Sequence, residues 1–184
     1  MYKTFKIALV GNVLVGKTSI SKCFCTNKFN DFNSSTIVAS FFSKIIKYKN
    51  NKIQLHIWDT AGQDRFNSLL PLYLRNLDAV IFVFDLTNIN SLRNIKNYWI
   101  NLVNKYVHNN CKYFLIGNKI DIMNKSDEIY IQNIVDNEIN MKLFKVSAKT
   151  SEGIHDFFYS IINELDTINI YDSYIQKKNC CLIS

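Results

Sequence analysis

The chain has 184 residues, 48% of them hydrophobic and 20% charged, with a net charge of +7. That length suits one domain with a sizeable core, and no apolar run approaches the ~18 residues of a membrane-spanning helix. The positive balance raises the question of nucleic acid, but the lysines are dispersed among asparagines, with no arginine-rich helix, finger or RNA-binding signature, so no nucleic-acid partner is expected.

Met1-Tyr2-Lys3 leads straight into an apolar run, so a signal peptide is not expected, and without a glycine at position 2 neither is N-myristoylation. Strand Thr4–Val10 opens the predicted order and runs into Gly11-Asn12-Val13-Leu14-Val15-Gly16-Lys17-Thr18. Helix Lys17–Thr26 follows. Its Cys23-x-Cys25 pair could be read as a metal pair or as core packing; with no second pair or histidine cluster, core packing is expected. The stretch Asn27–Ser35 is irregular. Strands Ser40–Tyr48 and Lys52–Trp58 flank Lys49-Asn50-Asn51, which reads as a hairpin turn. Then come helix Ser68–Leu74, strand Ala79–Phe84, helix Ser91–Val107 capped by Ser91, strand Tyr113–Gly117, helix Glu128–Asn137, strand Leu143–Val146 and helix Gly153–Leu165. Ala79–Phe84 is continuously apolar, as a strand buried on both faces of a parallel sheet must be. Ile154, Phe157, Phe158, Ile161, Ile162 and Leu165 recur at helical spacing and form a docking stripe. The order predicts an α/β fold: a six-stranded, mostly parallel sheet with one antiparallel hairpin and helices on both faces. Residues 1–166 form one domain, and 167–184 a flexible tail.

The chemistry is carried by five segments. Residues 11–18 fit GxxxxGK[ST], a phosphate-binding loop between a strand and a helix. Backbone amides along Val13, Leu14, Val15, Gly16, Lys17, Thr18 and Ser19 are expected to face phosphate oxygens, at the positive end of the following helix. Lys17 supplies a point charge, and the Thr18 hydroxyl ligates Mg²⁺. After strand Lys52–Trp58, Asp59 holds a metal-bound water, Gly62 lets an amide approach the γ-phosphate, and Gln63 orients the attacking water. Asn118-Lys119-Ile120-Asp121 follows a strand; the Asp121 carboxylate accepts from the N1–H and 2-amino group of guanine, a pair of donors that adenine lacks. Ser147-Ala148-Lys149 offers the Ala148 amide to guanine O6, while Lys119 and Lys149 cover base and sugar. Thr36 completes the metal's coordination. Singly these are common turns; in this order and after strand ends, they describe a site for GTP or GDP with Mg²⁺.

With those residues in hand, residues 4–165 resemble the Ras superfamily of small GTPases, which are P-loop NTPase G domains. They resemble its Rab branch in Ile53-Gln54-Leu55-His56-Ile57-Trp58, Gly62-Gln63-Asp64-Arg65-Phe66, Tyr73-Leu74-Arg75-Asn76 and Val83-Phe84-Asp85-Leu86-Thr87. The resemblance implies a GTP-hydrolysing switch of vesicle trafficking, monomeric, whose GTP form orders the stretches around Thr36 and Gly62. It implies Lys17 and Gln63 as the catalytic pair and Phe29 against the guanine. It also implies an exchange factor, a GTPase-activating protein, a GDP-dissociation inhibitor and effectors, acting through Thr36–Phe42 and Gly62–Arg75. Residues 29–32 and 35–41 resemble the early-endosomal branch; 41–44 and 68–75 resemble the Golgi retrograde branch. Either implies the cytosolic face of an internal membrane.

The departures are informative. Val13 stands where small or polar residues are usual, and a branched side chain there would crowd Gln63 and an activator's arginine, predicting slow hydrolysis or a GTP-retaining scaffold. Leu14 carries backbone strain if its position needs positive φ. Val38 and Ser40 replace a Gly and an Asp, stiffening the first switch. The terminus Cys180-Cys181-Leu182-Ile183-Ser184 supports two lipid readings: farnesyl on Cys181 in a C-a-a-X box, or geranylgeranyl groups on Cys180 and Cys181 as in Rab tails. Lys177 and Lys178 upstream would strengthen contact with an acidic leaflet by ~1 kcal/mol each.

Overall fold

The computed structural model describes residues 3–29, 39–62 and 69–180. Six strands form one sheet in the order β2-β3-β1-β4-β5-β6. They are β1 Lys3–Val10, β2 Ala39–Tyr48, β3 Asn51–Thr60, β4 Ala79–Asp85, β5 Lys112–Asn118 and β6 Leu143–Lys145. Only the β2–β3 pair is antiparallel; the others run parallel. The hairpin is tighter than the sequence suggests. Tyr48 pairs with Asn51, so Lys49 and Asn50 alone make the turn, with Lys49 at φ 52°.

The helices are α1 Lys17–Thr26, α2 Leu70–Leu74, α3 Ile89–Asn94, α4 Ile100–Val103, α5 Lys125–Ile134 and α6 Ile154–Cys180. Side-chain alternation along the central strands splits the core. Phe5, Ile7 and Leu9 of β1 and Ile81 and Val83 of β4 face α1 and α6, in one cluster with Phe24, Phe157, Phe158 and Ile161. Ala8, Val10, Val80, Phe82 and Phe84 face the other way, joined by Leu70, Leu92, Trp99 and Ile131 of the remaining helices. The α6 stripe predicted from spacing is buried, each large side chain contributing about 1.5–3 kcal/mol.

Several boundaries differ from the sequence reading. Helix α3 starts before Ser91, because the Asn88 side chain accepts from the Asn90 amide and caps it. Ser91 instead donates from its hydroxyl to the Asn88 carbonyl at 2.6 Å. The single helix predicted over 91–107 is α3, a widened π turn over Ile95–Trp99, and α4. Helix α5 begins at Lys125, with Asp127 and Glu128 in its first turn, where carboxylates favour the helix dipole. Helix α6 continues past Leu165 to Cys180, into the segment expected to be a flexible tail; no Gly or Pro in 166–180 interrupts it.

Candidate functional site

The parallel strands deliver their C-terminal ends, Val10, Asp85, Asn118 and Lys145, to one edge of the sheet, where open α/β sheets bind ligands. Between Val10 and α1 the chain must reverse tightly. Gly11, Leu14 and Gly16 take φ of 145°, 65° and 96°. Space at Gly16 is short as well: a Cβ there would lie 2.2 Å from the Asn118 side-chain nitrogen and would push that side chain from its place.

Lys17 is 6% exposed. Its ammonium donates to the Gly11 carbonyl at 2.8 Å and the Asn12 carbonyl at 2.7 Å, so the loop wraps around its own cation. Burial pushes its pKa down from 10.5 to about 8, against a pull upward from the Asp59 carboxylate. Asp59, fully buried at the end of β3, accepts the Thr18 hydroxyl at 2.6 Å. Next along, Gly62 abuts the loop: a Cβ on it would fall 2.5 Å from the Val13 nitrogen and the Asn12 carbonyl carbon. Val13 and Leu14 stand out from the loop, 42% and 75% exposed. Val15 does not; its side chain is in the core, and its carbonyl accepts from Asn118 Nδ2 at 2.9 Å.

The other end of the edge is a cavity of about 170 Å³. Its walls are Leu14, Gly16, Ser19 and Phe29 on one side and Asn118, Lys119, Asp121, Ala148 and Lys149 on the other. The sequence had placed all nine in one site. Three loops are bonded together here. Asn118 reaches Val15 and also accepts the Ala148 amide at 3.1 Å. The Ser147 hydroxyl donates to Asp121 at 2.6 Å and accepts the Thr150 amide at 3.1 Å, so it aims the carboxylate rather than lining the cavity. The Ala148 amide, expected to point at a ligand, is thus already engaged by Asn118.

Three contributors escaped the sequence reading. Asp85 forms a 2.5 Å ion pair with Lys119 and is held by the Thr87 amide and hydroxyl. It could have been found from its place at the end of β4. Ile122 lines the cavity and is 61% exposed. Asn12 supplies a carbonyl to Lys17. Thr36, Gln63 and Cys181, with Val38, Asp64, Arg65 and Phe66, lie outside the described residues.

Donor chemistry fits a magnesium–nucleotide pair. A hydroxyl and a carboxylate stand side by side, both oxygen donors suited to a hard cation, next to a buried ammonium suited to phosphate. Beside this edge, Phe41, Trp58 and Tyr73 form an aromatic cluster with ring centroids 4.9 and 5.2 Å apart, and Phe41 is 49% exposed.

The Ras family model matches residues 6–167. Ras-related protein Rab-21 of Homo sapiens is 36% identical over 164 residues, 88% of this chain and 72% of that protein. GTP-binding protein YPT53 of Saccharomyces cerevisiae is 37% identical over 166 residues, 86% of this chain and 74% of its own length. Ras-related protein RABF2a of Arabidopsis thaliana is 36% identical over 169 residues, covering 89% and 82%.

Proposed function

The chain belongs to the Ras family and, within it, to the Rab type of small GTPase, and on that premise we propose that it binds GTP and GDP, hydrolyses GTP, and switches vesicle trafficking at an internal membrane. The observation that carries the proposal is the cavity in which Ser147 aims Asp121 while Asn118 ties the same wall to the phosphate loop. Asp121 selects guanine by accepting from its two donors. Asn118, Lys119 and Lys149 hold the base end, and Phe29 packs on it. Lys17 and the loop amides neutralise the phosphates. Thr18, Asp59 and Thr36 would hold Mg²⁺, which when bound neutralises charge building on the phosphate oxygens. Gln63 orients the attacking water, and Gly62 keeps its segment against the loop.

The decisive measurement is calorimetry on nucleotide-stripped protein in magnesium buffer. GDP and GTP should bind and ATP should not. Asp121→Asn should lose most guanine affinity, because the mismatched donor leaves buried polar groups unpaired. Heat from ATP as strong as from GTP would end the guanine reading.

Val13 supports a second reading, a GTP-retaining scaffold with negligible turnover. It stands beside the peptide that Gly62 abuts. An activator's arginine is worth about 10³–10⁵ in rate, so a side chain that blocks it leaves the GTP state long-lived. Single-turnover hydrolysis should be faster in Val13→Gly than in wild type; equal rates would remove Val13 as the cause.

The exposed Phe41, with Trp58 and Tyr73, supports a partner face for effectors and regulators spanning Thr36–Phe42 and Gly62–Arg75. Prenyl groups on Cys180 and Cys181 would tether the protein to the cytosolic face of endosomal or Golgi membranes. Two chains anchor stably where one is marginal. Intact mass of native protein gives their number.

A further inference from the structure

The chain has two tryptophans, and the role of Trp99 is not explained by core packing alone. It is 1% exposed, yet its indole Nε1 donates to the Asn12 side-chain oxygen, 2.7 Å away in the phosphate loop. It closes the widened turn Ile95–Trp99, whose bonding steps five residues, the Ile100 amide donating to the Ile95 carbonyl. Turns of this kind insert one extra residue into a helix and recur at functional sites. The preceding Tyr98 is exposed and meets the indole edge-on at 5.3 Å.

Three independent contacts converge on Asn12. Its side chain takes the indole proton. Its carbonyl takes a proton of the Lys17 ammonium. Its peptide with Val13 is what leaves no space for a Cβ on Gly62. A residue so placed cannot move without moving the buried cation and the glycine together. A buried indole N–H gives up its acceptor only at the cost of its desolvation. The helix wall therefore resists displacement of the loop.

We propose that Trp99 is a positioning residue for the phosphate site, acting through Asn12: the pair is a strut that fixes the loop carbonyls around Lys17 and sets the seat of Gly62. The inference rests on the reading of this loop as a phosphate cradle and adds to it a mechanical link from α3 and α4 to the nucleotide. Trp99 touches no substrate. Its contribution is to keep the ammonium where phosphate will meet it, so the loop is ordered before the ligand arrives.

The test uses the full chain as wild type, Trp99→Phe, Asn12→Ala and the double variant. Release of a fluorescent GDP analogue and intrinsic emission are followed. Each single change should speed release roughly three- to tenfold, the range for one lost hydrogen bond. The double variant should release no faster than the quicker single, because both cut one link. The emission assigned to Trp99, taken as wild type minus Trp99→Phe, should change when GDP is replaced by a non-hydrolysable GTP analogue. Asn12→Ala should abolish that change. Should Trp99→Phe fail to fold, Asn12→Ala carries the test alone. Release in Asn12→Ala within twofold of wild type, with only a lowered melting temperature in Trp99→Phe, would make the indole a core group and overturn the strut. Wild type that holds no guanine nucleotide would overturn both this inference and the proposed function; ordinary binding with unaltered variants would overturn the strut alone.

Discussion

The two ends of the cradle are held by different means. At the cavity end, side chains of three loops hold one another: Asn118 joins Val15 to Ala148, Ser147 aims Asp121, and Asp85 pins Lys119. At the phosphate end, backbone shape dominates. Positive φ at Leu14 and Gly16, a carbonyl wrap around one ammonium, and a glycine pressed on a peptide set the surface. Where side chains of several loops hold one another, the loss of one of them costs affinity. A site set by backbone conformation and one buried charge responds to pH, strain and neighbouring segments. The contrast suits a protein that must hold its base throughout while its phosphate count changes.

The largest expected effect is at the wired end. Asn118→Ala removes both bonds of that side chain and leaves the Val15 carbonyl and the Ala148 amide short of a partner. At about 1–3 kcal/mol for each of the two buried groups, GDP affinity should fall by at least about thirtyfold. The loss should be the same at every pH, since no titrating group is touched. Calorimetry at pH 7 and pH 9 checks both statements. A loss under about fivefold would mean that the three loops hold together without Asn118.

The phosphate end should respond to pH instead. Burial holds Lys17 down at about 8, below its ordinary 10.5, despite Asp59. In the free protein the ammonium therefore loses its proton as pH passes 8. Phosphate binds the charged form, so GDP affinity should be flat below about pH 8 and fall by up to roughly tenfold per unit above it. The sign is opposite for folding. Between pH 8 and 10.5 the unfolded chain binds more protons at this lysine than the folded one, so its contribution to the stability of the free protein rises with pH across that window. Lys17→Met should remove both slopes. Asn118→Ala should keep them, which sharpens the division between the ends.

Much of this was legible in the letters. The continuously apolar run Ala79–Phe84 predicts a strand buried on both faces, and the structure divides it between the two halves of the core, Ile81 and Val83 on one side and Val80, Phe82 and Phe84 on the other. The cavity residues were legible for a different reason: a glycine, two lysines and a carboxylate close after strand ends point to a ligand rather than to the core. What escaped is long-range. Nothing near Trp99 in the chain says that it reaches Asn12, and nothing near Asp85 says that it pairs with Lys119. The Ser147 side chain was read as part of the site, but its partner makes it the residue that aims Asp121. Helix starts slipped where a cap one turn earlier, Asn88 in place of Ser91, wins the backbone amide.

Leu14 is where the two ends meet, and it gives the smallest and most discriminating effect. It belongs to the phosphate loop by its φ of 65° and to the cavity by its side chain. A leucine in the left-handed region costs roughly 1–2 kcal/mol. Glycine would relieve that strain, though part of the gain is offset by about 0.5–1 kcal/mol of extra freedom in the unfolded chain. Leu14→Gly should therefore leave the free protein as stable or slightly more stable. The same change removes a side chain that is 75% exposed before ligand arrives and stands at the cavity wall beside Phe29. Covering part of it on binding is worth about 1 kcal/mol, so GDP release should quicken by roughly fivefold. Stability and affinity then move in opposite directions in one variant. A variant that gains stability with unchanged release would make Leu14 a strained turn residue and nothing more. One that loses both would mean that the leucine packs on the protein itself, and the division between a wired end and a backbone-set end would have to be redrawn at this residue.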